Sequence, residues 1–170
     1  MPNPHENEYA IMLRKCRDIP DIFELVKKAV FFVLKQTRPG LMLGLSDLGE
    51  GKYAWIGGYH EISSNAIIMN ERPMSYIEKN HPSLFNPYVF VILLHEYLHT
   101  LGVIDENECK RLTLIVTEKM FGDNLVTNLA RNIERYLPLI QNPQAGWTPP
   151  KEYYVKYIRG FDKSSVTYIV

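Results

Sequence analysis

Residues 88–105 read YVFVILLHEYLHTLGVID, and this stretch decides how the rest of the chain is interpreted. It opens with seven apolar residues, Tyr88 to Leu94, far fewer than the roughly 20 that a membrane-spanning helix needs. Asn86-Pro87 immediately before it is a typical helix start, and Gly102 is a typical helix stop. The stretch therefore predicts a buried helix that ends in a sharp turn.

The predicted helix carries two histidines and a glutamate in a pattern suited to metal chemistry. His95 and His99 are four residues apart, so both imidazoles project from one helical face and can reach a single zinc ion. Glu96 is offset by about a quarter turn, where it can take a proton from a zinc-activated water. Burying these three side chains on a helix without a function would be costly. We therefore interpret His95 and His99 as zinc ligands and Glu96 as the general base.

The residues that follow the second histidine extend this pattern. His95 to Asp105, HEYLHTLGVID, fits HExxHxxGxxD. This form resembles that of the zincin clan of metallopeptidases, on its metzincin side, including small zincins with aspartate as the third ligand. The resemblance covers about residues 21–121, although its specific residues are only the eleven just quoted. It implies a zinc-dependent peptidase that acts on peptides or proteins, with His95, His99 and Asp105 as metal ligands and Glu96 as general base.

The identity of the third metal ligand is open at this point. No histidine follows His99, so three histidine ligands of the usual metzincin type are impossible. Asp105 also has a purely structural interpretation, because DENE at 105–108 is a capping-box pattern that starts a helix without any metal. A resemblance to the gluzincin branch would instead place a glutamate on the following helix. The candidates on that helix are Glu106, Glu108 and Glu118.

The turn at Gly102 bears on this choice. A tight helical hairpin there would bring residues 106–109 opposite His99 and leave Glu118 about three turns further along. Cys109 is small enough to permit close approach of the two helices, and we interpret it as a buried apolar residue. His60 and His81 could also lie near a cleft, but a lone histidine in a strand or loop is more often structural.

The flanking segments predict an α+β fold. A backing helix over 22–36, capped by Asp21, precedes three short strands, and two helices follow the active-site helix. The strand at 66–70 suits either a sheet edge that pairs with an extended peptide or an ordinary core strand. The resemblance implies the same zincin-like order: a backing helix and small mixed sheet, then the active-site helix and C-terminal helices. The strands are expected at 41–45, 53–59 and 66–69, and the later helices at about 105–121 and 124–139.

Composition limits the other possibilities. The 170 residues include 19 basic and 19 acidic side chains, and this zero net charge gives no reason to expect a nucleic-acid or membrane partner. Two cysteines and no signal-like start predict a soluble, cytoplasmic protein. We expect one zincin-like catalytic domain over 1–145 and an aromatic C-terminal tail over 146–170 that packs on it.

Two alternatives to an active peptidase are consistent with these patterns. The first is a non-catalytic zincin-like domain that binds zinc or a peptide. The second is a latent form in which the tail of residues 146–170 covers the cleft. The patterns do not specify the substrate, the cleavage preference or the oligomeric state.

Overall fold

The computed structural model describes residues 6–51, 55–144, 146–150 and 154–163. Within these ranges the protein is α+β, with seven α-helices and a mixed four-stranded sheet. The helices are α1 (Glu8–Arg14), α2 (Ile19–Leu34), α3 (Glu71–Asn80), α4 (Phe85–Thr100), α5 (Glu106–Phe121), α6 (Leu125–Arg131) and α7 (Leu137–Ile140). The strands are β1 (Met42–Ser46), β2 (Gly58–His60), β3 (Ala66–Asn70) and β4 (Lys156–Tyr157).

The sheet has the order β2-β3-β1-β4. β1 and β3 are parallel, whereas β2 pairs antiparallel with β3 and β4 pairs antiparallel with β1. Of the two interpretations of residues 66–70, the sheet edge is therefore wrong and the core strand is confirmed. β2 covers that side of β3, with Tyr59 opposite Ile68, and is itself the edge strand. The part of the expected strand at 53–54 lies outside the described residues.

Helix α4 is the centre of the core. It packs against α2, α5, α6 and the sheet, and every residue from Tyr88 to Leu94 is buried. Burying an aliphatic or aromatic side chain contributes about 1.5–3 kcal/mol. A helix covered on all sides can therefore be apolar all round, as the run at 88–94 predicts. α2 backs this core, and its Phe23 meets the ring of Tyr97 edge-on at 5.5 Å.

The start of α4 differs from the expectation. Asn86 does not cap it; its amide instead donates to the main-chain oxygens of Leu13, at 3.0 Å, and Cys16, at 3.1 Å. A 3-10 turn over Pro82–Leu84 leads directly into α4 at Phe85. The Asn-Pro pair thus lies in the first turn of α4 rather than before it. Asn86 joins α4 to the end of α1, a helix that we did not predict from the sequence.

Two other helices also differ in their limits. Asp18, not Asp21, is the N-cap of α2, and it accepts a hydrogen bond from the backbone N–H of Asp21 at 2.9 Å. The helix expected over 124–139 is interrupted at Asn132, whose backbone is extended (φ −157°). It consists of α6, a 3-10 turn over Ile133–Tyr136, and α7.

The described part of the C-terminal tail packs on the domain in two places. Thr148 pairs with Glu50, and residues 154–163 lie along the β1 side of the sheet. β4 lies beside β1, at the edge opposite β2. Phe161 is buried and its ring stacks on Phe23 with centroids 4.1 Å apart. Asp162 is buried beside Lys27, with an Oδ1–Nζ distance of 2.6 Å. These contacts hold the tail against α2 and β1.

None of the helices in the described part of the chain combines the length and the apolar character that a membrane crossing needs.

Candidate metal centre

The last two turns of α4 carry the histidine pair. The Nε2 atoms of His95 and His99 lie 3.2 Å apart, which confirms that the two rings converge from one helical face. Tetrahedral zinc with bonds of 2.0–2.1 Å separates its ligand atoms by about 3.3 Å. The two imidazoles therefore already have nearly the spacing that a shared zinc ion requires.

The tautomer of His99 is fixed by the chain that follows α4. Its Nδ1 lies 2.6 Å from the main-chain oxygen of Val103, and a carbonyl can only accept, so Nδ1 carries the proton. The Nε2 lone pair is then free to bind a metal. Gly102 makes this contact possible, because its φ of +99° is readily adopted by glycine and turns the chain back toward the helix.

Glu106, the first residue of α5, faces both histidines. Its Oε1 lies 2.9 Å from Nε2 of His99, and its Oε2 lies 3.2 Å from Nε2 of His95. The carboxylate thus stands across the two ring nitrogens, where a third metal ligand would lie. The hairpin expected from Gly102 is confirmed, since it brings the start of α5 opposite His99.

The other acidic candidates have different partners. Asp105 is the N-cap of α5, and its carboxylate accepts from the backbone N–H of Glu108 at 2.8 Å. The side chain of Glu108 contacts Arg111 at 2.6 Å, and that of Glu118 contacts Arg131 at 3.3 Å. The geometry therefore favours Glu106 over Asp105 as the third ligand. Asp105 instead makes the hydrogen bond expected of a helix cap.

Cys109 lies one turn further along α5. Its Sγ and the ring nitrogens of His95 and His99 all lie within 4.8 Å of one another, so these three residues form a group that could hold a metal ion. The thiol donates to the main-chain oxygen of His95 at 3.1 Å. Burial raises the pKa of Cys109 to about 12, which keeps the sulfur protonated. Sequence reasoning anticipated its burial and placed residues 106–109 opposite His99, but it did not identify Cys109 as a candidate ligand, although the spacing Glu106–Cys109 indicates a shared helical face.

Burial also shifts the pKa values of two adjacent residues of the motif, His95 and Glu96. It lowers the pKa of His95, which favours the neutral imidazole that a metal requires. It raises the pKa of Glu96 to about 7, and His99 acts in the opposite sense. A bound cation would lower the pKa of Glu96 from this raised value and favour its carboxylate form. The site thus combines His95, whose neutral form burial favours, with a carboxyl group that can gain or lose a proton near neutral pH.

Two recesses open on either side of this cluster. The small recess, about 220 Å³, is lined by Gly58, Tyr59, His60, Ile62, Glu96, His99, Ile104 and Glu106. The large recess has a volume of about 590 Å³ and begins at His95. One wall is formed by Trp55–Gly58 and the other by residues 129–134, at the end of α6 and just after it. Glu96, although only 6% exposed, lines both recesses, as does Glu106. Both recesses therefore reach Glu96 and Glu106.

His60 is a residue whose position sequence reasoning did not settle. It lies on the edge strand β2 and lines the small recess, and its Nδ1 is 2.9 Å from the main-chain oxygen of Ala66. His81, by contrast, follows α3 as its C-cap and lines neither recess. His60 reaches the cleft because β2 and β3 pair and both strands pack on α4, which lies further along the chain.

No protein-family model, no curated protein and no solved structure matches this chain.

Proposed function

We propose that this protein is a zinc-dependent metallopeptidase. The observation that carries the proposal is the meeting of three candidate ligand groups: Nε2 of His95, Nε2 of His99 and the carboxylate of Glu106, whose two oxygens lie 3.2 Å and 2.9 Å from those nitrogens. Two imidazoles and one carboxylate are a ligand set typical of catalytic zinc, which keeps a further position open for water or substrate. The resemblance of residues 95–105 to zincins supports the same chemistry.

The donor set fits zinc in spacing, protonation and support. The ring nitrogens have nearly tetrahedral separation, and the hydrogen bond from His99 Nδ1 to Val103 is the kind of contact that orients a ligating imidazole. When bound, zinc would act as a Lewis acid that activates water and polarises the scissile carbonyl.

Glu96 supplies the proton transfers. Its carboxylate takes a proton from the attacking water and then delivers it to the nitrogen of the departing amine. Burial raises the pKa of Glu96, a bound cation would lower it again, and the carboxylate form that the cation favours is the form that acts as a base. The edge strand β2 lies beside the site and can hold an extended peptide by main-chain hydrogen bonds.

A closed, non-catalytic zinc site is the second candidate, and Cys109 is the observation that favours it. If its thiol lost the proton and joined His95, His99 and Glu106, four protein ligands would surround the metal, as in structural zinc sites. Such a site would have no position for water. The alternative of a latent form has no support among the described tail residues, since none of them lines either recess.

The proposal is tested with purified full-length protein and Glu96→Gln, His99→Ala and Glu118→Gln variants. Zinc content is measured first, and then each protein is incubated with a diverse decapeptide library whose products are identified by mass spectrometry. Wild type and Glu118→Gln, a control on the outer face of α5, should bind one zinc and cleave. Glu96→Gln should bind zinc without cleaving, and His99→Ala should do neither. Stoichiometric zinc with no cleavage by wild type would establish the closed site instead, and no zinc binding would exclude both.

A further inference from the structure

The small recess has two apolar lips that come from separate parts of the chain. Ile104 is 69% exposed and Ile62 is 68% exposed, and among the described residues no other large apolar side chain is more exposed than these two. Both line the same recess, together with Tyr59, which is 44% exposed. Scattered exposed apolar residues are normal, but apolar residues that converge on one concavity indicate a binding surface.

Both lips are held in place by their backbone. Ile62 lies in the turn between β2 and β3, which is closed by a hydrogen bond from the N–H of Ser64 to the oxygen of Glu61 at 3.0 Å. Ile104 lies between Val103, whose N–H donates to Leu98 at 3.2 Å, and the helix cap Asp105. The exposure of the two isoleucines therefore belongs to ordered segments of the fold.

The charges near the two recesses differ. No lysine or arginine lines the small recess, so an acidic side chain placed there would find no basic side chain of those two types to pair with. Its carboxyl groups belong to Glu96 and Glu106, which face the histidine cluster. The large recess, in contrast, is lined by Lys110, Arg131 and Glu134 as well as apolar residues. Only the small recess presents an apolar rim without cations next to the reacting groups.

Backbone recognition is available at the same place. Gly58, Tyr59 and His60, the three residues of β2, all line the small recess. β2 is an edge strand, so among the described residues its outer side has no partner strand. An extended peptide that pairs with β2 points alternate side chains to one face, and one of them would then lie between Ile62 and Ile104.

We propose that the small recess is the specificity pocket of the enzyme and selects a polypeptide substrate with a large apolar side chain, aliphatic or aromatic, beside the bond that is cleaved. Ile62, Ile104 and Tyr59 are the residues that determine this preference. The proposal rests on the proposed peptidase function, since it assigns the substrate class of that same site.

Binding of chelating peptides tests the proposal without turnover. Short peptide hydroxamates that differ only in the side chain next to the hydroxamate (Leu, Phe, Ala, Asp or Lys) are titrated into the zinc-loaded protein by calorimetry. The Leu and Phe compounds should bind at least about tenfold more tightly than the Ala, Asp and Lys compounds. In the double variant Ile62→Ser/Ile104→Ser this preference should fall to about twofold or less. Leu139→Ser, a control at an exposed leucine on α7, should retain it.

A second measurement does not need the metal. Isoleucine methyl groups are labelled with ¹³C, and the signals of Ile62 and Ile104 are identified from Ile62→Val and Ile104→Val. Plain Leu- or Phe-containing peptides should shift these two signals selectively, and the Asp-containing peptide should leave them unchanged. Equal binding of Leu and Asp hydroxamates, or a preference that persists in the double variant, would overturn the specificity proposal. Apolar selectivity without any cleavage of the decapeptide library would instead retain the pocket and reject the peptidase function.

Discussion

The thiol of Cys109 donates a hydrogen bond to the main-chain oxygen of His95, 3.1 Å away. This contact joins α5 to α4 directly behind the histidine pair. It requires a small side chain, because the two helices approach each other closely at this point. Glu106 is three residues before Cys109, so the close packing of α5 on α4, which a small residue at 109 permits, also brings its carboxylate to the imidazoles.

Cys109→Ala should leave zinc affinity within about twofold of wild type, because we assign the third ligand to Glu106 and a buried neutral thiol is a poor ligand. Competition with a chromophoric chelator measures the affinity. The cobalt-substituted wild-type protein should correspondingly show no thiolate-to-metal charge-transfer absorption. A strong band of this type, lost in Cys109→Ala, would show that Cys109 completes a closed site.

Glu106→Gln and Asp105→Asn form a matched pair that distinguishes the two acidic candidates. Glu106→Gln removes a charged ligand and should weaken zinc binding at least about tenfold. Asp105→Asn keeps an oxygen for the N–H of Glu108, so it should change neither the zinc affinity nor the free energy of unfolding appreciably. If Asp105→Asn loses zinc while Glu106→Gln retains it, the third ligand is Asp105.

Gly102→Ala should affect stability through the backbone. A Cβ at Gly102 meets no atom within 4 Å, but its φ of +99° is disfavoured for alanine. We expect a loss of about 1–2 kcal/mol in the free energy of unfolding, together with weaker zinc binding, because the turn positions both Val103 and Glu106. Gly146→Ala, which also meets no atom within 4 Å and has no positive φ, is the control. Urea unfolding measures the free energy of unfolding of both variants. Equal losses in Gly102→Ala and Gly146→Ala would show that the conformation of Gly102 is not the cause.

Zinc should raise the thermal stability of the folded protein. A ligand at 100 times its dissociation constant stabilises by about 2.7 kcal/mol, which for a chain of this length corresponds to a rise of about 5–10 °C in Tm. Removal of zinc with a chelator should reverse the rise. His99→Ala should abolish it, and His81→Ala, at the end of α3, should not. A zinc-dependent rise that persists in His99→Ala would place the metal elsewhere.

Asp162 should be important for folding rather than for metal binding. Its carboxylate is buried, contacts Lys27 at 2.6 Å and accepts from the N–H of Gly40 at 2.8 Å. Asp162→Ala leaves a buried lysine with fewer partners, and we expect a loss of about 3–5 kcal/mol in the free energy of unfolding. Lys163→Ala removes an exposed partner of Asp21 and should have little effect. Under conditions in which Asp162→Ala is folded, its zinc affinity should equal that of wild type; a selective loss of zinc binding would contradict this assignment.

Local signals in the sequence were reliable where one short segment decides the structure. The limits of α5 follow from Asp105 as N-cap and Gly122 after its end, and both are confirmed. The same type of signal was misleading at Asn86 and Asp21. Their side chains find competing partners in α1, the tail and the backbone before α2, which no local pattern reveals.

The order of strands could not be derived from the sequence. Strand propensity marks β3 but does not state which strands flank it, because that depends on pairings between distant segments. Only the observed order makes β2 the edge strand and brings Tyr59 and His60 to the cleft. The apolar lips Ile62 and Ile104 were missed for the same reason.

The sequence by itself determined that two histidines and a glutamate lie within little more than one turn of a buried helix. Helical periodicity places residues 95, 96 and 99 without reference to the rest of the chain. Tertiary structure alone decided which acidic side chain meets them. Glu106 rather than Asp105 faces the imidazoles, since the left-handed turn at Gly102 and the contact of Cys109 with α4 set the rotation of α5. A ligand on the same helix is fixed by the backbone hydrogen bonds of that helix, whereas a ligand on another helix is fixed by packing.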